Sequence, residues 1–272
     1  MKQLWVGLQI LALSLGLSAA EPSAEDMDRL HQDAKQAFFA ANYPTALAKW
    51  QMALTQARAL GQKKDISKFL VNLGAVNLNL GQYQAALDYY QQALVIDREL
   101  ADKSGESADL THLGLIQYSL GQYPQALAYY QQALAIQHQI GDKSGQSHSL
   151  GNLVLLYDSL GQYSKALEYG EQALALHRSL DDKRAEGNDL ANLGMVYDHL
   201  GQHHQALAYY HQALTLQRAL DDQSGVGKTL SGIGASYKNL GDYPKALTHL
   251  QQSLAIHEKI GDINGIGNNL TN

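Results

Sequence analysis

Residues 109–148 read DLTHLGLIQYSLGQYPQALAYYQQALAIQHQIGDKSGQSH, and residues 189–228 read DLANLGMVYDHLGQHHQALAYYHQALTLQRALDDQSGVGK. Aligned without a gap, the two stretches share 20 identities in 40. The same frame runs from residue 27 with a fixed period of forty. Counting position 1 at Met27, Ser67, Ser107, Ser147, Gly187 and Gly227, position 4 is Leu30, Leu70, Leu110, Leu150, Leu190, Leu230 and Leu270. A period of 20–50 residues means a stacked array rather than one closed core. Six units are complete, at about 27–66, 67–106, 107–146, 147–186, 187–226 and 227–266, and a seventh is cut short at 267–272.

Each unit spells two helices. The first carries apolar residues at positions 4, 7, 10 and 14, as in Leu110, Leu113, Ile116 and Leu120, which form one helical stripe. Position 15 is Gly81, Gly121, Gly161, Gly201 and Gly241, where a helix closes in the left-handed conformation at little cost. Pro44, Pro124 and Pro244 then fall at position 18, in the first turn of the second helix. That helix runs to about Ile140 in its unit, and a polar stretch such as Gly141-Asp142-Lys143-Ser144-Gly145 reads as the loop to the next unit. Small residues at positions 8, 20 and 27 face large ones at position 24, so neighbouring helices can interdigitate. Unit four breaks this rule twice, with Val154 at position 8 and Gly170 at position 24, and the valine is expected to fill the space that the glycine leaves. No segment alternates with period two, so the chain is all-α.

Outside the array, the first twenty residues stand apart. Lys2 is their one charge, Leu4 to Leu17 is an apolar run broken by Gln9 and Ser14, and Ser18-Ala19-Ala20 precedes Glu21. This is the pattern of a cleaved secretory signal over residues 1–20, which implies an exported protein, periplasmic or secreted, with 21–272 as the mature solenoid. The run is too short to span a bilayer, and no later segment is apolar enough to do so. The chain has no cysteine and a net charge of −6. The first excludes disulfides, thiol catalysis and cysteine-built metal sites. The second argues against nucleic acid, which needs a basic footprint.

Leu193-Gly194, Tyr197, Gly201, Ala206, Tyr210 and Ala213 show the pattern of one unit in full. It resembles the tetratricopeptide repeat (TPR), over residues 27–272. The period is six residues longer than that family's usual 34, and resembles the long-helix variant of kinesin light chains, Pins-type adaptors and exported bacterial proteins. The resemblance implies a right-handed superhelix whose concave groove, lined by the first helices, binds proteins or extended peptides. In that variant an asparagine just before the Leu-Gly pair holds a peptide backbone. Position 6 here is Asn72, Asn152, Asn192 and Asn272, with Gln32, His112 and Gly232 in the other units. An amide both donates and accepts, which suits an extended backbone. The same asparagines would serve equally as bridges between neighbouring helices. Position 12, expected to face the groove, runs Phe38, Leu78, Tyr118, Asp158, Asp198 and Lys238. This predicts an apolar N-terminal half and carboxylates, at Asp158 and Asp198, that suit a basic ligand residue.

Catalytic constellations are missing. Residues 222–229 approach the phosphate-cradling pattern G-x-x-x-x-G-K-[ST], but Asp222 stands where the first glycine belongs and no strand leads in. His199, His203, His204 and His211 gather in one unit, yet Gly201 turns the chain between them, so they read as surface and packing residues rather than metal ligands. The expected function is therefore a non-catalytic peptide- or protein-binding scaffold with no cofactor and no metal. The rival is the recognition arm of a larger enzyme or signalling protein, such as a TPR protein ending in a CHAT-type protease. Self-association through an uncapped C-terminal end is a third reading.

Overall fold

The computed structural model describes residues 24–271. The signal segment 1–20 and Asn272 lie outside them. The described residues form thirteen α-helices and no strand: α1 Ala24–Phe39, α2 Tyr43–Leu60, α3 Lys63–Asn79, α4 Tyr83–Glu99, α5 Lys103–Ser119, α6 Tyr123–Ile140, α7 Lys143–Ser159, α8 Tyr163–Ser179, α9 Lys183–His199, α10 His203–Ala219, α11 Gln223–Asn239, α12 Tyr243–Ile260 and α13 Ile263–Thr271. They divide into two compact units, one ending at Asp102 and one beginning at Lys103. Within each, consecutive helices pack on one another. In the C-terminal unit the first helices of successive repeats (α5, α7, α9, α11, α13) touch as well.

The turns are shorter than the sequence suggests. The stretch 141–145 is a brief turn followed at once by the start of α7 at Lys143. Aspartate makes the early start possible, because its carboxylate takes up a backbone N–H that the first turn leaves unpaired. Asp142 accepts from Gly145 N at 2.9 Å, Asp182 from Ala185 N at 3.0 Å and Asp222 from Gly225 N at 3.0 Å. The near-match to a phosphate loop is thus a capped helix start. The other turn closes with the position-15 glycines at φ between 67° and 80°. The return turns place Ala101, Asp181 and Asp221 in that left-handed region as well, at φ 54°, 55° and 51°.

Packing follows the small-against-large rule closely. A methyl group at Gly114 would lie 2.6 Å from the Tyr130 ring, and one at Gly74 2.7 Å from Tyr90, so each glycine is a seat for a buried tyrosine. At the unit-four exception, a methyl group on Gly170 would meet Leu193 first, at 2.6 Å, and Val154 only at 3.6 Å. The leucine of the next repeat fills the gap, and the valine finishes it. Position 14 departs from the expected stripe: Leu110, Leu113 and Ile116 are buried, whereas Leu120 is 43% exposed. It sits at the helix end, over the turn rather than over the neighbouring helix.

Successive repeats of the C-terminal unit also meet through buried polar pairs, which the apolar pattern hides. Position 31 of one repeat faces position 3 of the next. His177 Nδ1 lies 2.5 Å from Asp189 Oδ2, and both residues are 6% exposed. One repeat later Thr229 donates to Gln217 Oε1 at 2.8 Å.

Candidate functional site

First-helix positions 2, 5, 6, 9 and 12 fall on the side of each helix away from its own second helix, following the 3.6-residue period. Among the position-6 residues, Asn152 and Asn192 in the C-terminal unit are half-buried, and so is Asn72 in the N-terminal unit. None of the three makes a hydrogen bond among the described residues, and the Asn72 amide nitrogen is buried without a partner. Asn77 and Asn79, by contrast, donate to Leu73 O at 2.7 Å and Ala75 O at 2.9 Å on their own helix. These three amides therefore do not bridge helices. His112 differs, since its Nδ1 lies 2.8 Å from Ala108 O and burial pushes its pKa below the usual histidine value.

Position 12 is engaged. Tyr118 Oη lies 2.9 Å from Ser159 Oγ, and Asp158 accepts from His199 Nδ1 at 2.8 and 3.0 Å. Asp198 accepts from His203 Nδ1 at 2.6 Å and from Ser236 Oγ at 2.8 Å. In the first two cases the partner is position 13 of the following repeat, so these side chains are struts between repeats. The Asp158 and Asp198 side chains are only 9% and 11% exposed, which leaves little carboxylate open to a basic ligand. Lys238 is exposed on the outer part of α11. The hydrogen bond that His199 donates to Asp158, followed by the charges of Asp158 and Asp198, raises the His199 pKa against the opposing effect of burial. Two of the four clustered histidines, His199 and His203, are thus carboxylate partners. No set of three or more metal-ligating side chains converges among the described residues.

A cavity of about 920 Å³ opens between α9, α11 and α13. Asn192, Met195, Asp198 and His199 form one wall and Lys228, Ser231, Gly232 and Ala235 the facing one, with Tyr210 at its floor. Of the residues singled out from the sequence, Asn192 and Asp198 lie in this wall. His112, Tyr118, Asn152 and Asp158 lie on α5 and α7 of the same unit, outside it, as does Lys238 on α11. Lys228, Gly232 and Tyr210 were not legible as site residues, although Gly232 does interrupt the position-6 column.

The "Tetratricopeptide repeat" family models match residues 106–179 and 188–259, and residues 67–100. A search of curated protein sequences finds no significant match. Among solved structures, the chain is similar to BtubC (BKLC) from P. vanneervenii, with TM-score 0.70 and 21% identity over 81% of this chain and 92% of that one. It is also similar to a putative kinesin light chain repeat protein from Podosopora anserina, with TM-score 0.59 and 21% identity over 71% of this chain and 95% of that one. A third neighbour is the Rap conjugation gene regulator of plasmid pLS20 in complex with a Phr peptide, with TM-score 0.63 and 19% identity over 86% of this chain and 74% of that one.

Proposed function

This chain belongs to the tetratricopeptide repeat family, and on that premise we propose that it is a non-catalytic scaffold that holds an extended peptide or protein segment along its first helices. The observation that carries this reading is the state of Asn152 and Asn192. Asparagine is a poor helix former, and within a helix it usually bonds its own backbone, as Asn77 and Asn79 do. Asn152 and Asn192 are instead half-exposed with donors and acceptors unused, one repeat apart on adjoining helices. Such amides can satisfy the N–H and C=O groups of a strand laid across them, giving affinity with little sequence preference. The Rap regulator that carries a Phr peptide supports the reading by analogy of fold. The leader-like residues 1–20 add that this scaffold works after export.

The test is to pan a random twelve-residue display library against residues 21–272 and map recovered peptides by hydrogen exchange. Binding along the groove protects amides around Asn152 and Asn192, and recovered peptides compete with one another. Protection confined to the second helices or the turns would overturn the proposal.

A further inference from the structure

The cavity floor holds a group that the rest of the protein leaves idle. Tyr210 is 5% exposed, and a methyl group on Gly232 would stand 2.6 Å from its Cζ and 2.8 Å from its hydroxyl oxygen. His112, Asn152 and Asn192 occupy the equivalent position in the preceding repeats of this unit. The missing side chain at Gly232 is what lets the phenol end lie there, against the cavity. Its hydroxyl has no hydrogen-bond partner among the described residues. Burial, and after it the charges of Asp198 and Asp158, raise its pKa, so it remains a neutral O–H donor across the working pH range. The hydroxyl oxygen opens onto the cavity rather than being sealed in the core, so a ligand acceptor can replace the solvent there with a direct hydrogen bond.

A cation also faces the cavity, and its field already reaches Asp262. Lys228 is exposed on the same wall and forms no ion pair among the described residues. The carboxylates that share the cavity already have partners. Asp198 accepts from His203 and Ser236 at 2.6 and 2.8 Å. Asp262 accepts from the Gly265 N–H at 3.0 Å and pairs with His257 at 2.9 Å. The Gly265 N–H, with help from the charges of His257 and Lys228, holds the Asp262 carboxyl below the usual carboxylate range, so it stays ionised and occupied. Besides the Asn192 amide, the cavity offers an incoming group the Tyr210 O–H and the Lys228 ammonium. Its volume of about 920 Å³ exceeds the need of a single side chain.

We infer that this cavity is the subsite for one acidic side chain, glutamate or aspartate, of the peptide that lies in the groove: its carboxylate accepts a hydrogen bond from the Tyr210 hydroxyl and pairs with Lys228. The inference rests on the groove reading above and gives it a sequence preference that the asparagines do not supply. It also reverses the preference for a basic residue that Asp158 and Asp198 suggest from sequence.

Peptides recovered from the panning, made with amidated C-termini, supply the probes. A shared acidic position is expected, and changing it to Gln or Asn should weaken binding to the wild-type chain about tenfold or more, because a charge-assisted bond becomes neutral. With Lys228→Met, the acidic and amide peptides should bind alike. Tyr210→Phe should weaken the acidic peptide about fivefold, yet its urea midpoint should equal or exceed wild type, since the lost hydroxyl has no partner in the free protein. Groove-bound peptides with no shared acidic residue would overturn the inference and leave the groove reading standing. So would an acid-to-amide difference that survives Lys228→Met, or a Tyr210→Phe chain that binds the acidic peptide like wild type. Failure to recover any peptide that contacts the groove would overturn both.

Discussion

Replacing His177 by alanine strands Asp189. The carboxylate has one hydrogen-bond partner, His177 Nδ1 at 2.5 Å, and the residue is 6% exposed between α8 and α9. Removing one member of a buried ionisable pair costs about 3–5 kcal/mol, most of it the burden of an uncompensated buried charge. Burial already raises the Asp189 pKa, opposed by the hydrogen bond and charge of His177. Without the histidine that opposition is gone, so the folded variant prefers a protonated carboxyl. A group whose folded pKa lies above its unfolded value near 3.8 costs stability as pH rises through that window and above it. The penalty of His177→Ala is therefore largest near pH 7.5 and shrinks toward pH 5. The next repeat supplies the control. Gln217 and Thr229 occupy the same two positions and bond at 2.8 Å. Transplanting them as His177→Gln plus Asp189→Thr exchanges an ionisable pair for a neutral one of similar volume, and the double variant should lie within about 1.5 kcal/mol of wild type. Urea unfolding followed by circular dichroism at pH 5 and pH 7.5 reads all three proteins. A transplant as damaging as the single alanine, or a His177→Ala penalty that does not change with pH, would show that Asp189 does not depend on His177 for charge compensation.

The position-15 glycines close their turns at low cost, whereas Ala101 adopts φ 54° with a Cβ; Ala101→Gly should therefore stabilise the chain by about 0.5–1 kcal/mol in the same urea assay. His199 is held protonated by Asp158, so its contribution is complete below pH 6.5 and lost as pH rises through the raised value. His199→Gln should thus cost more at pH 5.5 than at pH 8.5, by no more than about 1 kcal/mol because the side chain is 48% exposed; an equal cost at both would make the contact non-ionic. Leu207 is 7% exposed while Leu247, its equivalent one repeat on, is 58% exposed. Repeats are stabilised by their neighbours, so amide exchange in this 272-residue chain should be faster over α12 and α13 than over α7 to α10; uniform protection would contradict this.

How far the sequence could be read depends on the range of the contacts. Helix pairs follow from spacing within forty residues, and the Gly114–Tyr130 seat follows from alternating size, because both are local and recur along the array, the seat also at Gly74–Tyr90 and Gly194–Tyr210. The loop reading of 141–145 failed because Asp142 caps α7 rather than opening a coil, which needs the side-chain geometry. Asp158 and Asp198 do lie on the first helices as helical spacing requires. Spacing gave no sign that His199 reaches Asp158 across 41 residues, or that Ser236 reaches Asp198 across 38. Asp97, Gln137, His177, Gln217 and His257 all stand at position 31, but position 3 is mixed, so the pairing emerged only from packing. Gly232 was visible as a gap in the asparagine column. That a tyrosine from the previous repeat occupies the gap was not.

Whether unbonded asparagines on adjoining first helices hold a peptide backbone is decided by the affinity of recovered peptides for Asn152→Ala plus Asn192→Ala. Each amide is worth about 0.5–1.5 kcal/mol net, so the double variant should bind about 5- to 150-fold more weakly. The loss should be nearly equal for peptides of unrelated sequence, with the urea midpoint unchanged, since neither amide side chain bonds among the described residues. Affinities within twofold of wild type for every peptide would contradict the account and place the binding surface elsewhere.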